Sequence, residues 1–210
     1  MRYISLLMLT LLSVGCARTN DYMTRYHEDG RAKPVAAIAT MIDTASFEVP
    51  WSISEELTTM ISAQIRQTGK IYVVTKEDDA FGENPFGADL SWVKREFSNQ
   101  EFAVFLELVE HDMAPATKTK KESPEDNSTN LNMAVRLRVI DARGAQPKIV
   151  LQEIVRDTYF IPKTLIPEDY NTLAWGNPAF ARTPMGIAHA QLANEIATRI
   201  SDYILLAKSR

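Results

Sequence analysis

The chain holds a single cysteine, Cys16, in 210 residues. With no second thiol, no intramolecular disulfide can form, so even in an oxidising compartment the fold must stand on its core. Histidine is almost as scarce: His27, His111 and His189 are the three in the chain. No HExxH, no CxxC, no glycine-rich phosphate loop and no G-x-S-x-G occurs. The short patterns that announce a zinc site, a bound nucleotide or a serine nucleophile are therefore missing. No apolar run reaches the roughly 20 residues of a transmembrane helix. Basic residues are not in excess either: the formal net charge is −4, with no global signature of nucleic-acid binding.

Metal-ligating side chains crowd together in one place, Glu107, Glu110, His111 and Asp112. Strand alternation places Glu107 and His111 on one face and Glu110 and Asp112 on the other, which splits the group. No metal site, no cofactor and no enzymatic activity are therefore expected. A hydrolase remains the reading from another class, with its site in the segment 164–184.

What the chain does contain begins at its first residue. Met1-Arg2-Tyr3 is a short basic start, Ile4 to Leu12 an apolar run, and Ser13-Val14-Gly15-Cys16 a small-residue end. That order reads as a secretion signal over residues 1–15. Leu12-Ser13-Val14-Gly15-Cys16 resembles a bacterial lipoprotein lipobox, with Ser13 where that motif usually has a large aliphatic residue. The resemblance implies cleavage before Cys16, a diacylglyceryl group on its thiol and an acyl chain such as palmitate on its amine. Each buried methylene contributes about 0.8 kcal/mol, so two or three chains anchor a protein stably. Ala17 follows in place of the aspartate that marks inner-membrane retention, which implies the outer membrane with the domain facing the periplasm. An ordinary secretory signal with an incidental cysteine, or an uncleaved anchor, are the other readings of the same residues.

Residues 16–33 are polar and weakly patterned, and read as the lipidated cysteine and its tether. A single α/β domain is expected over 34–210. Val35 to Ile42 is a continuous apolar run, as for a strand buried on both faces. Ser52 and Glu55 form an S-x-x-E capping signal ahead of Ile53, Leu57, Met60, Ile61 and Ile65 at helical spacing, with Gly69 as the stop. Ile71 to Val74 is the next strand, completing a βαβ unit. Leu90, Val93 and Phe97 mark a short helix, and Phe102 to Val109 a third strand. Residues 115–130 carry Lys118, Lys120 and Lys121 and then an acidic stretch, and read as a mobile loop. Leu131, Met133, Val135, Leu137 and Val139 alternate with more polar residues, and after a turn at Asp141-Ala142-Arg143-Gly144 the segment Ile149 to Phe160 returns as an antiparallel partner. Gly186 to Leu206 reads as an amphipathic helix with Ile187, Leu192, Ile196, Ile200 and Tyr203 or Ile204 on one face. The expected architecture is α/β (α+β): a mixed, mostly antiparallel sheet of about five strands, opened by the βαβ unit, with the long C-terminal helix packed on one face.

Two surfaces are candidates for a partner. Arg136 and Arg138 share a face of their strand and Arg156 lies opposite, which makes either a charge-guarded edge or a cationic surface for an anionic partner. The segment 164–184 is long for a connection and carries Tyr170, Trp175 and Phe180, which form either a lid on the core or a partner-binding loop.

In this order the elements resemble the periplasmic module of the TolB N-terminal domain, CsgG and LpoB. The matching pieces are Val35–Ile42, Ser54-Glu55-Glu56-Leu57 leading to Gln67-Thr68-Gly69-Lys70-Ile71-Tyr72-Val73-Val74, and Met133 to Gly144. The chain is also similar to a lipoprotein type seen in chlamydiae, and the order of tether, hairpin and terminal helix resembles the lipopolysaccharide-assembly lipoprotein LptE. These resemblances imply binding or scaffolding, with an envelope protein or lipopolysaccharide as partner and the membrane reached through the N-terminal lipid. They supply no catalytic residues.

Overall fold

The apolar run after Pro34 forms β1 (Val35–Ala39), the first strand of a sheet that covers it on both sides. Ala36 and Ile38 point into the main core, while Ala37 and Ala39 belong to a smaller cluster on the opposite face, so no alternation is visible in the sequence. This is a computed structural model, and it describes residues 25–45, 49–76, 83–116, 128–162 and 173–210. A two-residue strand, β2 (Ile42–Asp43), precedes α1 (Ile53–Gln67). Ser52 caps α1 by accepting the Glu55 backbone N–H at 3.1 Å. Ile53, Leu57, Ile61 and Ile65 recur every four residues and are buried. Gly69 ends the helix with φ +67°, a left-handed conformation that glycine adopts without a Cβ penalty. The chain then returns as β3 (Tyr72–Lys76), parallel to β1 with Val35 opposite Tyr72, and the βαβ unit is complete.

After the short α2 (Val93–Glu96) come three long strands, β4 (Phe102–Pro115), β5 (Thr129–Asp141) and β6 (Lys148–Ile161). The sheet runs β3-β1-β4-β5-β6, with β2 also paired to β4. β1 is parallel to β3 and β4, whereas β4, β5 and β6 are antiparallel. The sheet is thus the expected mixed one, with six strands because β2 is too short to show in an apolar pattern.

The last helix, α3 (Pro184–Lys208), begins two residues earlier than expected, with Thr183 accepting the Gly186 N–H at 3.0 Å and Pro184 in the first turn. A Cβ on Gly186 would lie 2.2 Å from the Phe180 carbonyl oxygen, so the helix start presses directly on that residue. Leu192, Ile196, Ile200 and Ile204 are buried as expected. Ile187 is not: it is 46% exposed, because five residues before Leu192 is about 140° round the helix. Met185, Ala188 and His189 occupy the buried side there instead.

Helices α1 and α3 cover one sheet face. Their apolar stripes meet Val104, Leu106, Leu108, Met133, Val135 and Leu137 in the main core. On the other face Trp92, Val93 and Phe97 pack on Ala103, Phe105 and Ile140, with the Phe97 and Phe105 rings 5.4 Å apart and edge to face.

One irregularity changes the reading of β4. Its register against β5 shifts between Leu108 and Glu110, leaving Val109 extra. Such a bulge reverses the alternation beyond it. Glu107 faces Arg136 and Glu110 faces Ala134 on the open side, while His111 sits opposite Met133 and turns into the helix-covered core. The expectation that Glu107 and His111 share a face is therefore corrected.

Residues 25–33, the described end of the segment expected as a tether, are folded. Tyr26 and Ala32 form an antiparallel bridge, Lys33 N–H donates to the Arg25 carbonyl at 2.9 Å, and the Arg25 guanidinium lies 4.8 Å from the Tyr72 ring centre. Residues 25–33 are thus a folded turn laid against β3. Cys16, the expected signal segment 1–15 and most of the expected loop 115–130 lie outside the described residues.

Candidate functional site

Glu56 stands on the apolar stripe of α1, between Ile53 and Met60, and has no exposed surface. Both of its carboxylate oxygens are engaged. Trp51 donates its indole N–H to Oε2 at 2.8 Å, and His189 Nδ1 lies 2.8 Å from Oε1. His189 comes from the buried side of α3 and is itself fully buried. Its other nitrogen, Nε2, is 2.9 Å from Nε2 of His111, which β4 delivers through its bulge. The two imidazoles are edge to face, with ring centres 5.1 Å apart. Phe180 closes the outer side, edge-on to both His189 and Trp51.

Three ionisable groups from α1, α3 and β4 thus form one hydrogen-bonded chain inside the main core. Buried polar groups are tolerable only when paired, and this chain pairs them with each other. With Glu56 as a carboxylate, His189 donates from Nδ1, and one proton lies between the two Nε2 atoms. Burial, with the neighbouring His189 adding to it, pushes the His111 imidazole down to about 3, so His111 is neutral at ordinary pH. The arrangement can orient imidazoles and hold a proton. Among the described residues, no three His, Cys, Asp or Glu side chains converge to hold a metal.

Nothing in the sequence reading selected this group. The available signal was a charged or polar residue on an apolar stripe: Glu56 beside Leu57, and His189 three residues before Leu192. The third member was hidden by the bulge.

The arginine surface is rearranged. Arg136 is partly exposed, pairs with Glu107 at 3.1 Å and lies over the Phe86 ring. Arg156 is exposed on the same face, opposite Ala134. Arg138 is not a surface cation, which corrects the expectation: it is 4% exposed. Its guanidinium donates to the carbonyls of Pro85, Phe86 and Gly87 at 2.7–2.9 Å and to Gln152 Oε1 at 2.8 Å. Burial pushes its pKa down, and the neighbouring Arg136 pushes the same way. Arg138 therefore pins the 85–87 backbone to the sheet. Replacing it with methionine keeps the apolar stem and orphans three carbonyls, so Arg138→Met is expected to cost about 2 kcal/mol and to speed proteolysis within 83–90. Thermal melts and cleavage mapping check this.

The aromatic segment is likewise divided. Tyr170 lies outside the described residues. Trp175 is partly buried against the main core. Phe180 is 4% exposed, so it is a lid over His189 rather than a partner-binding side chain, because the start of α3 holds it down.

Exposed apolar side chains gather elsewhere. Ile149, Ile154 and Phe160 are 43%, 41% and 59% exposed, all on β6, the strand at the end of the sheet order. A cavity of about 290 Å³ lies between α1 and α3, lined by polar side chains such as Gln64, Lys70, Asn194 and Asp202.

Comparison with known proteins places this geometry. The model of DUF7499, a family of unknown function, matches residues 22–208. No curated protein matches the chain by sequence. Among solved structures, the hypothetical protein CT253 from Chlamydia trachomatis is 24% identical over 82% of this chain and 98% of its own, with a TM-score of 0.68. That likeness shows the fold. Two bacterial lipoproteins align more loosely. GNA1162 from Neisseria meningitidis is 10% identical over 79% of this chain and 99% of its own, with a TM-score of 0.40. A minor lipoprotein from Acinetobacter baumannii is 12% identical over 81% of this chain and 92% of its own, again at 0.40.

Proposed function

We propose that this chain, which belongs to the family of unknown function DUF7499, is a non-enzymatic lipoprotein of the bacterial envelope. In this reading Cys16 carries the lipid, the outer membrane holds the anchor, and the periplasm-facing domain binds a protein of the envelope assembly machinery. The observation that carries the binding role is the β6 edge. Among the described residues a 14-residue strand ends the sheet order with no strand paired beyond it, which supports pairing with a partner there, and Ile154 and Phe160 are exposed on it as apolar anchors. The ionisable chain of Glu56, His189 and His111, by contrast, is sealed from solvent. That favours binding over catalysis.

A lipopolysaccharide-assembly role is the second reading. It was motivated by three arginines, and with Arg138 committed to backbone carbonyls only Arg136 and Arg156 remain for it. A protein partner is therefore preferred.

The test is site-specific photocrosslinking in envelopes, with the crosslinker at Phe160 and a control at Lys94 near α2. A discrete protein adduct at Phe160, reduced about tenfold or more by Ile154→Asp, supports the reading. A lipopolysaccharide adduct transfers support to the second reading, and equal labelling at both positions defeats both. Acyl labelling lost in Cys16→Ser tests the anchor separately.

A further inference from the structure

The sheet has two ends, and they differ in charge as well as in exposure. Around the β3 end stand Arg25, Lys33, Arg66 and Lys70. Arg25 lies over the Tyr72 ring, and Lys33 hydrogen-bonds the Arg25 carbonyl through its backbone. Arg66 donates to the Thr75 hydroxyl, and Lys70 enters β3 just beyond Gly69. Arg31 is nearby but neutralised by Asp29 at 2.7 Å. Among the described residues, Glu28 in the turn and Asp202 across the cavity from Lys70 are acidic neighbours, and Lys76 on β3 is paired with Glu96. This end is thus net positive on a chain whose formal charge is −4.

The position of this patch on the chain is the second observation. Arg25 is the first described residue and lies against β3. Eight residues separate it from Cys16, and even fully extended the link spans no more than about 32 Å. A lipid on Cys16 therefore keeps the β3 end, where the described chain begins, within about 32 Å of the bilayer.

We propose that the β3 end of the sheet is the membrane-facing side of the domain and that Arg25, Lys33, Arg66 and Lys70 rest on anionic phosphate headgroups. The inference rests on lipidation of Cys16. Each basic residue brought to an anionic surface strengthens attraction roughly fivefold, and the effect fades beyond a Debye length of about 8 Å at physiological salt. A patch on a free domain would be a weak membrane binder, and a tether this short keeps it within reach. The orientation also assigns the other end. β6 lies four strands from β3, roughly 19 Å across the sheet, and points its open edge towards the periplasm, where a partner approaches.

The full-length lipidated protein is reconstituted into vesicles of phosphatidylcholine alone or with phosphatidylglycerol. Surface lysines are modified with a water-soluble amine reagent and read by mass spectrometry. In phosphatidylglycerol vesicles Lys33 and Lys70 should be labelled at least threefold more slowly than in phosphatidylcholine, with Lys148 on β6 unchanged. Salt at about 0.5 M, which shortens the Debye length to roughly 4 Å, or Arg25→Glu with Arg66→Glu, should abolish the difference. Equal labelling in the two vesicles, on a protein whose N-terminal peptide carries the acyl mass, overturns the orientation. An N-terminal peptide without acyl mass overturns the anchor itself and removes the orientation with it, so the two failures are told apart in the same spectra.

Discussion

Replacing Glu56 with alanine is expected to destabilise the domain by about 3–5 kcal/mol, enough to leave a small α/β domain close to its unfolding midpoint. The reason is the number of groups that depend on one carboxylate. Trp51 Nε1 and His189 Nδ1 both reach it at 2.8 Å, and each becomes a polar atom with its acceptor gone. An unsatisfied buried donor costs about 1–3 kcal/mol, and the truncated side chain adds the cost of a cavity in a dense interior. Glu56→Gln separates charge from shape. It keeps the volume and one carbonyl acceptor but cannot accept from both donors, so an intermediate loss of about 2 kcal/mol is expected. Chemical denaturation of the two variants measures both values. If Glu56→Ala melts within a degree or two of the unaltered protein, the hydrogen-bonded chain does not hold the core together.

Acid is expected to act on the same group through His111. An unfolded imidazole titrates near 6.5, whereas the folded one is held at about 3 by burial first and by His189 second. Its folded pKa is depressed, so between those values the unfolded chain carries a proton that the folded chain refuses. Stability from this group is therefore complete above about pH 6.5 and falls as pH drops towards 3, at up to about 1.4 kcal/mol per pH unit. Asp141, held below the usual carboxylate range by Arg143, adds its own loss only below about pH 4. Denaturation midpoints between pH 7 and 4.5 isolate the histidine. His111→Leu lowers stability at pH 7 but flattens the slope by about one proton, and an unchanged slope would remove His111 as its source.

Together these effects describe a core whose polar chain ties three elements of different origin. Glu56 and His189 are 133 positions apart, and His189 and His111 are 78 apart. The chain closes only when α1, α3 and β4 are all in place, so it favours one packing of the two helices on the sheet. That is a role in specificity of packing.

Much of the fold was legible because its signals are local. Ser52, the four-residue spacing of Ile53, Leu57, Ile61 and Ile65, and Gly69 mark α1 from end to end within one stretch of chain. The alternation of Leu131 to Val139 marks β5 in the same way. The errors share a different cause. Arg138 looks like any outward residue of an alternating strand until the 85–87 backbone, some fifty positions away, settles over it. Phe180 looks like a surface aromatic until α3 and Trp51 close round it. Ile187 was placed on the wrong side because apolar character alone does not give helical phase.

By itself, then, the sequence determined the order of the elements, the mixed sheet and a lone cysteine behind an apolar run, since composition and short-range periodicity are properties of neighbouring residues. Only the tertiary structure decided which polar groups are inside, because burial depends on what arrives from elsewhere in the chain. It turned His111 inward through one extra residue in β4 and drew Glu56, His189 and His111 into contact. It also folded residues 25–33 onto β3, leaving eight residues between the first described residue and Cys16. The lone cysteine can be read from the letters, whereas the packing of residues 25–33 on β3 cannot, because Tyr72 arrives from elsewhere in the chain.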